Sequence, residues 1–237
     1  MSLKMKPSSR IFENSENLVI AGFSDRRTTV STRSEFVARL SLNPEKLYLV
    51  KQVHGENIIR VDANTEPTNT IMADGLLTKK KGVSLGVLTA DCVPVFFWDP
   101  VKQVIGIVHA GWRGALHGIA PKMVSAFQQN FGSLPENIRV GIGPCIRQAA
   151  YEVGQDFQAM FPGFYQPSQN PEKGFLDLSG FIQKGLTDTG IFQQNIEDCG
   201  LCTFQEQDHF YSYRREKQTS ERMLSVISMQ GENDESE

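Results

Sequence analysis

Two histidines and one cysteine stand in short segments whose neighbours would fix them in place. They are Gln52-Val53-His54-Gly55, Thr89-Ala90-Asp91-Cys92 and Val108-His109-Ala110-Gly111-Trp112-Arg113-Gly114. Two imidazoles and one thiolate suit Zn²⁺, and three protein ligands leave the fourth position open for water or substrate. An open site of that kind is a catalytic arrangement rather than a structural one. Taken singly, each residue has a plainer reading: a lone histidine caps or fills a core, and a cysteine in an apolar strand is a small hydrophobe. The combination of all three segments outweighs those readings.

The elements that would position these residues can be read from periodicity and turn residues. Residues 104–109 form a short apolar run that fits a buried strand and ends on His109. Gly111-Trp112-Arg113-Gly114 then turns into a helical pattern over 115–131. Ligands gather at such strand ends, where glycines let the backbone come close and a helix N-terminus favours anions. Upstream, 46–53 and 58–61 read as strands. Residues 83–98 are rich in Val, Leu and Phe, and Pro94 is expected to break them into two pieces. Downstream, 138–142 reads as a strand, 153–160 and 178–189 as helices, and 210–213 and 223–229 as further strands. The stretch 163–174, with Pro167 and Pro171, reads as a long surface loop. The fold class expected is mixed α/β in one unit of 19–230, preceded by a partly flexible segment 1–18. An acidic tail, 231–237, has no apolar anchor and is expected to be disordered.

Bulk properties exclude several function classes. With 237 residues, 40% of them hydrophobic and 22% charged, the chain has the make-up of a soluble globular enzyme. A net charge of −3 gives no basic footprint for nucleic acid, and Lys79-Lys80-Lys81 reads as a solvated turn. No window reaches the run of about 18 apolar residues that a membrane span needs. Residues 1–10 are not followed by an apolar stretch of signal-peptide length. Cysteines at 92, 145, 199 and 202 do not make a dense disulfide pattern, so a cytoplasmic location is expected. Two other motifs lead nowhere. His54-Gly55-Glu56 and Pro144-Cys145 imitate a nucleobase-deaminase signature, but Gln148 stands where its second cysteine belongs. Cys199-Gly200-Leu201-Cys202 lacks a second pair or matched histidines.

Taken together the segments resemble the YfiH-like proteins, also called the multicopper polyphenol oxidase (laccase) family or DUF152. Besides the three segments already quoted, the resemblance rests on Ala73-Asp74-Gly75, Gly141-Ile142-Gly143-Pro144-Cys145-Ile146, Tyr151-Glu152-Val153 and Ser212-Tyr213-Arg214-Arg215. It implies a single-domain α/β sandwich of mixed sheet with flanking helices, and a zinc (or copper) held by His54, Cys92 and His109. It also implies phosphorolysis of adenosine, inosine, guanosine and methylthioadenosine, with deamination of adenosine. The partners so implied are small molecules, a purine nucleoside and phosphate. The older family name implies copper-dependent oxidation of phenols, for which one two-His, one-Cys site lacks the further copper centres that oxygen reduction requires.

Within that reading Cys92, His54 and His109 are the catalytic centre, and Asp74 or Asp91 would move a proton or orient a ligand. Arg26, Arg113, Arg214 and Arg215 are the motif arginines suited to phosphate, whose oxygens match paired guanidinium donors. Trp112 could stack on a purine. The chain departs from the family pattern at Ser24-Asp25-Arg26-Arg27-Thr28-Thr29-Val30-Ser31, where threonines replace two glycines and a following Ser-Leu-Asn-Leu-Gly segment is missing. It departs again at Thr219-Ser220-Glu221-Arg222, where relatives carry Thr-Gly-Arg. Three rival classes stand beside the nucleoside enzyme. One is a metal-free hydrolase with Cys92 as nucleophile. Another is an editing hydrolase for peptidoglycan precursors, a role linked to bacterial relatives. The third is a metal-binding protein without turnover.

Overall fold

Long runs of β-branched and aromatic residues make the central strands of this chain apolar on both faces. In the computed structural model, which describes residues 10–11, 19–62, 65–67, 70–217 and 219–231, those runs sit between layers. In chain order the elements begin β1 (Arg10–Ile11), β2 (Val19–Phe23), α1 (Arg33–Arg39), β3 (Leu47–Tyr48), β4 (Ile58–Arg60), β5 (Gly75–Thr78) and β6 (Ser84–Thr89). There follow β7 (Val93–Asp99), β8 (Val104–Ala110), α2 (Trp112–Leu116), α3 (Ile119–Phe131), β9 (Arg139–Ile142), β10 (Glu152–Gly154) and α4 (Phe157–Met160). The chain continues through β11 (Tyr165–Pro167), β12 (Lys173–Leu176), α5 (Leu178–Asp188), β13 (Ile196–Asp198), α6 (Tyr213–Glu216) and β14 (Met223–Met229).

One sheet has the order β1-β2-β14-β6-β3 and a second the order β13-β9-β7-β8-β5-β4. Side-chain parity sorts their residues into layers. Ala21, Phe23, Leu85, Val87 and Ile227 of the first sheet pack against Phe96, Trp98, Ile105 and Ile107 of the second. The opposite parity of the first sheet, Ile20, Leu224 and Val226, is covered by Phe36 and Val37 of α1. The opposite parity of the second, Val95, Phe97 and Val108, is covered by α3 and α5 through Met123, Phe127, Ile182 and Leu186. The result is a helix–sheet–sheet–helix sandwich of mixed strands, as the sequence suggests. A small sheet, β10-β12-β11, adds Val153 and Leu176 to the core beneath α3 and α5.

Five expectations from the sequence need correction. The break within 83–98 falls at Ala90–Cys92, not at Pro94, which lies inside β7 opposite His109 of β8. Pairing with β9 begins only at Val95, and the Pro94 carbonyl accepts from Gly143 N–H, so the missing N–H falls at the end of that ladder. The helical pattern over 115–131 divides into α2 and α3 because Gly118 takes a φ of +77° between them. Over 153–160 the helix is confined to α4, and Val153 belongs to strand β10. The supposed loop 163–174 contains β11 and the start of β12, an antiparallel hairpin. Residues 210–213 also do not form a strand; Ser212 caps α6 by accepting from Arg215 N–H. The readings of 1–9, 12–18 and 232–237 fall outside the described residues.

Candidate metal centre

Each member of the His54–Cys92–His109 group arrives from a different element, and each arrives for a local reason. His109 continues the parity of Ile105 and Ile107, so its ring enters the space between the sheets where β8 ends; it is 3% exposed. Cys92 lies at the tip of the tight β6–β7 turn, where Asp91 takes a φ of +91°. A non-glycine residue held there is strained by about 1–3 kcal/mol, a feature common at functional sites. His54 also has a positive φ, +58°, in the loop that follows β3.

Asp74 explains that loop. Its carboxylate, fully buried at the start of β5, accepts N–H groups from Val53 at 3.2 Å, His54 at 3.0 Å and Gly55 at 2.7 Å. Its fourth contact is the Nδ1 of His109, at 2.8 Å. An ionised carboxylate only accepts, so His109 donates from Nδ1 and Nε2 is the ring nitrogen that would give up its proton to a cation. Burial would raise Asp74, but His109 and the backbone donors hold it below the usual carboxylate range. Asp74 therefore positions both histidines, one through its ring and the other through its backbone. Gln52 adds a second strap, donating from Nε2 to Leu88 O at 2.8 Å and accepting from Leu88 N–H at 2.7 Å.

The three side chains then meet. One ligand atom from each lies within 4.8 Å of the others, and the two imidazoles stand edge to face with centroids 4.8 Å apart. Gly111 makes the close approach possible: a Cβ there would lie 3.0 Å from His54 Cδ2 and 3.1 Å from Cys92 Sγ. Gly114 is needed one turn later, because its Cβ would lie 2.6 Å from the Gly55 carbonyl oxygen. Burial alone would push the Cys92 thiol up, but the His109 charge and hydrogen bonds from His109 and His54 bring it down to about 6. Burial likewise opposes charge on His109, yet the Cys92 thiolate and Asp74 raise it to about 9. This is a thiolate–imidazolium pair beside a second imidazole, and once the His109 proton is displaced the two nitrogens and the sulfur fit a borderline-soft divalent cation.

The cluster lies in a cavity of about 650 Å³, within the size range of small-molecule sites. Of the arginines singled out in the sequence, Arg113 and Arg214 line it. Arg113 stacks over Trp112, 4.6 Å from the ring centroid, and Trp112 rests edge-on against Phe157. Arg26 and Arg215 do not line the cavity. Arg215 donates to the carbonyls of Thr203, Phe204 and Phe210, which shapes the segment before α6. Arg26 donates to Gln207 O, pairs with Glu216 and stacks over Tyr211. The altered 24–31 segment thus packs on that same segment, with Arg26 N–H bonded to His209 O.

Asp91 lines the cavity with its carboxylate engaged. It accepts from Thr203 Oγ1 at 2.6 Å, Ser212 Oγ at 3.1 Å and Arg214 N–H at 2.7 Å, and so ties the C-terminal segment to the β6–β7 turn. Among the lining residues, Tyr151, Tyr213 and Arg222 have no role assigned from the sequence. Arg222 is held by the carbonyls of Thr219 and Glu221, in the segment where the family pattern is altered. The second cysteine group stays apart: Cys145 and Cys202 are buried bridge partners and Cys199 lies beside Arg147, all three with free thiols. Burial raises both Cys145 and Cys199, the latter to about 11, so neither is a ready thiolate.

A known family and several known proteins are similar to this chain. A family model described as multi-copper polyphenol oxidoreductase laccase matches residues 7–230. The purine nucleoside phosphorylase YlmD of Bacillus subtilis is 38% identical over 162 residues, 66% of this chain and 58% of that protein. The purine nucleoside phosphorylase LACC1 of Homo sapiens is 33% identical over 218 residues, 87% of this chain and 50% of that protein. The chain thus spans little more than half the length of these two relatives. The crystal structure of the hypothetical protein YfiH of Bacillus licheniformis superposes with a TM-score of 0.86 at 28% identity, over 97% of this chain and 98% of that one.

Proposed function

The chain belongs to the multi-copper polyphenol oxidoreductase laccase family, and on that premise we propose that it is a zinc-dependent purine nucleoside enzyme. Its main reaction would be phosphorolysis of adenosine, inosine, guanosine and methylthioadenosine. The observation that carries the reading is the three-ligand cluster of His54, Cys92 and His109 opening onto a cavity lined by Arg113, Arg214 and Arg222. The phosphorylase names of the Bacillus subtilis and human relatives support the same reaction class.

The residues fit a single zinc ion, which His54, Cys92 and His109 would hold with one position open. When bound, such an ion polarises oxygens that reach it. In phosphorolysis an oxygen of phosphate bonds to ribose C1′ while the C1′–N9 bond breaks. The electron pair leaves with the purine, which takes up a proton. The guanidinium groups of Arg113, Arg214 and Arg222 would orient phosphate and balance its charge, and Trp112 would flank the base. Asp74 would hold the two histidines in register and take no part in proton transfer. A single His₂Cys cluster among the described residues supports this chemistry over multi-copper oxidation.

Deamination of adenosine is supported less. It needs a group to carry a proton from water to the departing amine. Among the described residues the one carboxylate lining the cavity is Asp91, and its oxygens already accept three hydrogen bonds. A metal-free cysteine hydrolase is the second reading, favoured by the Cys92 thiolate beside a charged His109.

The test is chromatography of products from adenosine and inosine, incubated with zinc-loaded protein in the presence and absence of phosphate. Free base and ribose 1-phosphate formed only with phosphate would support phosphorolysis. Inosine formed from adenosine without phosphate would shift the reading to deamination. No product under either condition would contradict both.

A further inference from the structure

We propose that Tyr151 and Arg214 form an oxyanion-binding pair beside the metal-ligand cluster, with the Tyr151 hydroxyl as the donor that a phosphate group meets. The inference rests on the phosphorylase reading for the identity of the oxyanion, not for the existence of the pair.

The backbone of Tyr151 is pinned on both sides. Its amide donates to Gln148 O at 3.1 Å, and its carbonyl accepts from Leu176 N–H at 3.0 Å, just before β10. The ring lies under the Arg214 guanidinium, 5.3 Å from carbon to centroid, and both residues line the cavity that holds Cys92, His54 and His109. Buried tyrosine hydroxyls ordinarily find a partner. Among the described residues the hydroxyl of the half-buried Tyr151 has none, and the residue lines the cavity. At neutral pH a phenol is uncharged and carries its proton, so it can donate.

Arg214 is equally constrained. Its Nη1 donates to the Glu152 carbonyl and its backbone N–H to Asp91, while Nε and Nη2 have no acceptor among the described residues. The groups that line this cavity together are therefore a phenol O–H, a guanidinium edge and the three-ligand cluster. The neighbouring carboxylate, Asp91, is already taken up by Thr203, Ser212 and Arg214. A wall of donors is complementary to an anion whose oxygens are mostly acceptors. That describes a phosphate better than the edge of a purine, which mixes donors and acceptors. The phosphate could be free inorganic phosphate or the phosphoryl group of a sugar phosphate.

Calorimetric titration of the zinc-loaded full chain with inorganic phosphate, and separately with ribose 1-phosphate, tests this. Tyr151→Phe keeps the ring under Arg214 and removes only the hydroxyl. It is expected to weaken binding about tenfold to hundredfold, the range for a hydrogen bond to a charged group. Zinc content and thermal midpoint should not change. Arg214→Lys should weaken the same ligand, since the ammonium loses the fork and the stack. A loss confined to inorganic phosphate identifies the free ion as the occupant; a loss confined to ribose 1-phosphate identifies the ester. Binding of both ligands unchanged within about twofold in Tyr151→Phe would overturn the proposal, as would a wild-type protein that binds neither. If the wild type binds phosphate through Tyr151 yet cleaves no nucleoside, the phosphorylase reading falls and the pair stands.

Discussion

Asp74 and His109 are joined by a 2.8 Å hydrogen bond from the ring Nδ1 to the carboxylate, and the same carboxylate gathers the backbone N–H groups of Val53, His54 and Gly55. One buried group thereby sets the tautomer of one proposed ligand and the loop conformation of another. Such supporting carboxylates are worth about 10–100-fold in metal affinity.

Asp74→Asn tests that relationship with little change of shape. Competition with a zinc chelator should show affinity lowered about 10–100-fold. The thermal midpoint of the metal-free protein should also fall, because a neutral amide accepts less strongly from three backbone donors. Unchanged zinc affinity would mean that the loop and ring are held by other contacts.

The electrostatics of the metal-free centre set a second expectation. Cys92 is brought down to about 6 and His109 is raised to about 9. The thiol is therefore protonated below pH ~6 and a thiolate above it, well under the ordinary thiol pKa near 8.5. Alkylation of Cys92 in chelator-treated protein should rise with pH through a midpoint near 6. Zinc affinity should fall as pH drops below about 9, where a proton competes for His109, and more steeply below about 6, where a second competes for the Cys92 sulfur. An alkylation midpoint above pH 8 would remove the paired thiolate from the account.

Gly111→Ala probes the closeness of the ligands. The added methyl would meet the His54 ring at 3.0 Å and the Cys92 sulfur at 3.1 Å, so the cluster must open. Zinc affinity should drop at least tenfold while circular dichroism stays native, since Gly111 lies outside the sheets and the site is smaller than the core. A variant with wild-type zinc affinity would show that the group tolerates a wider spacing.

The sequence was most legible where chemistry and strand parity coincide. His109 closes an apolar strand, and its place between the sheets follows from counting back two residues at a time to Ile107 and Ile105. His54 and Cys92 were recognisable as donors, but the reasons they converge were not. The Gln52 strap to Leu88 and the Asp74 clamp join residues 36 and about 20 positions apart, and such pairings carry no local periodicity. Pro94 misled the strand reading because its damage depends on where the neighbouring ladder ends, which only pairing with β9 determines. Among the arginines, motif membership did not separate Arg215, which spends its donors on three carbonyls, from Arg214, which keeps two for the cavity. Arg222 has no role in the sequence reading because its segment stands out there only for its departure from the family pattern.

The central claim is that the His54–Cys92–His109 cluster holds a zinc ion on which nucleoside cleavage depends. The most direct measurement is zinc content by elemental analysis paired with phosphate-dependent release of hypoxanthine from inosine, for the wild type and Cys92→Ala. The expected result is about one zinc per chain with turnover in the wild type, and loss of both in a folded Cys92→Ala protein. Turnover that survives in chelated, zinc-free protein, or in Cys92→Ala at the wild-type rate, would contradict it.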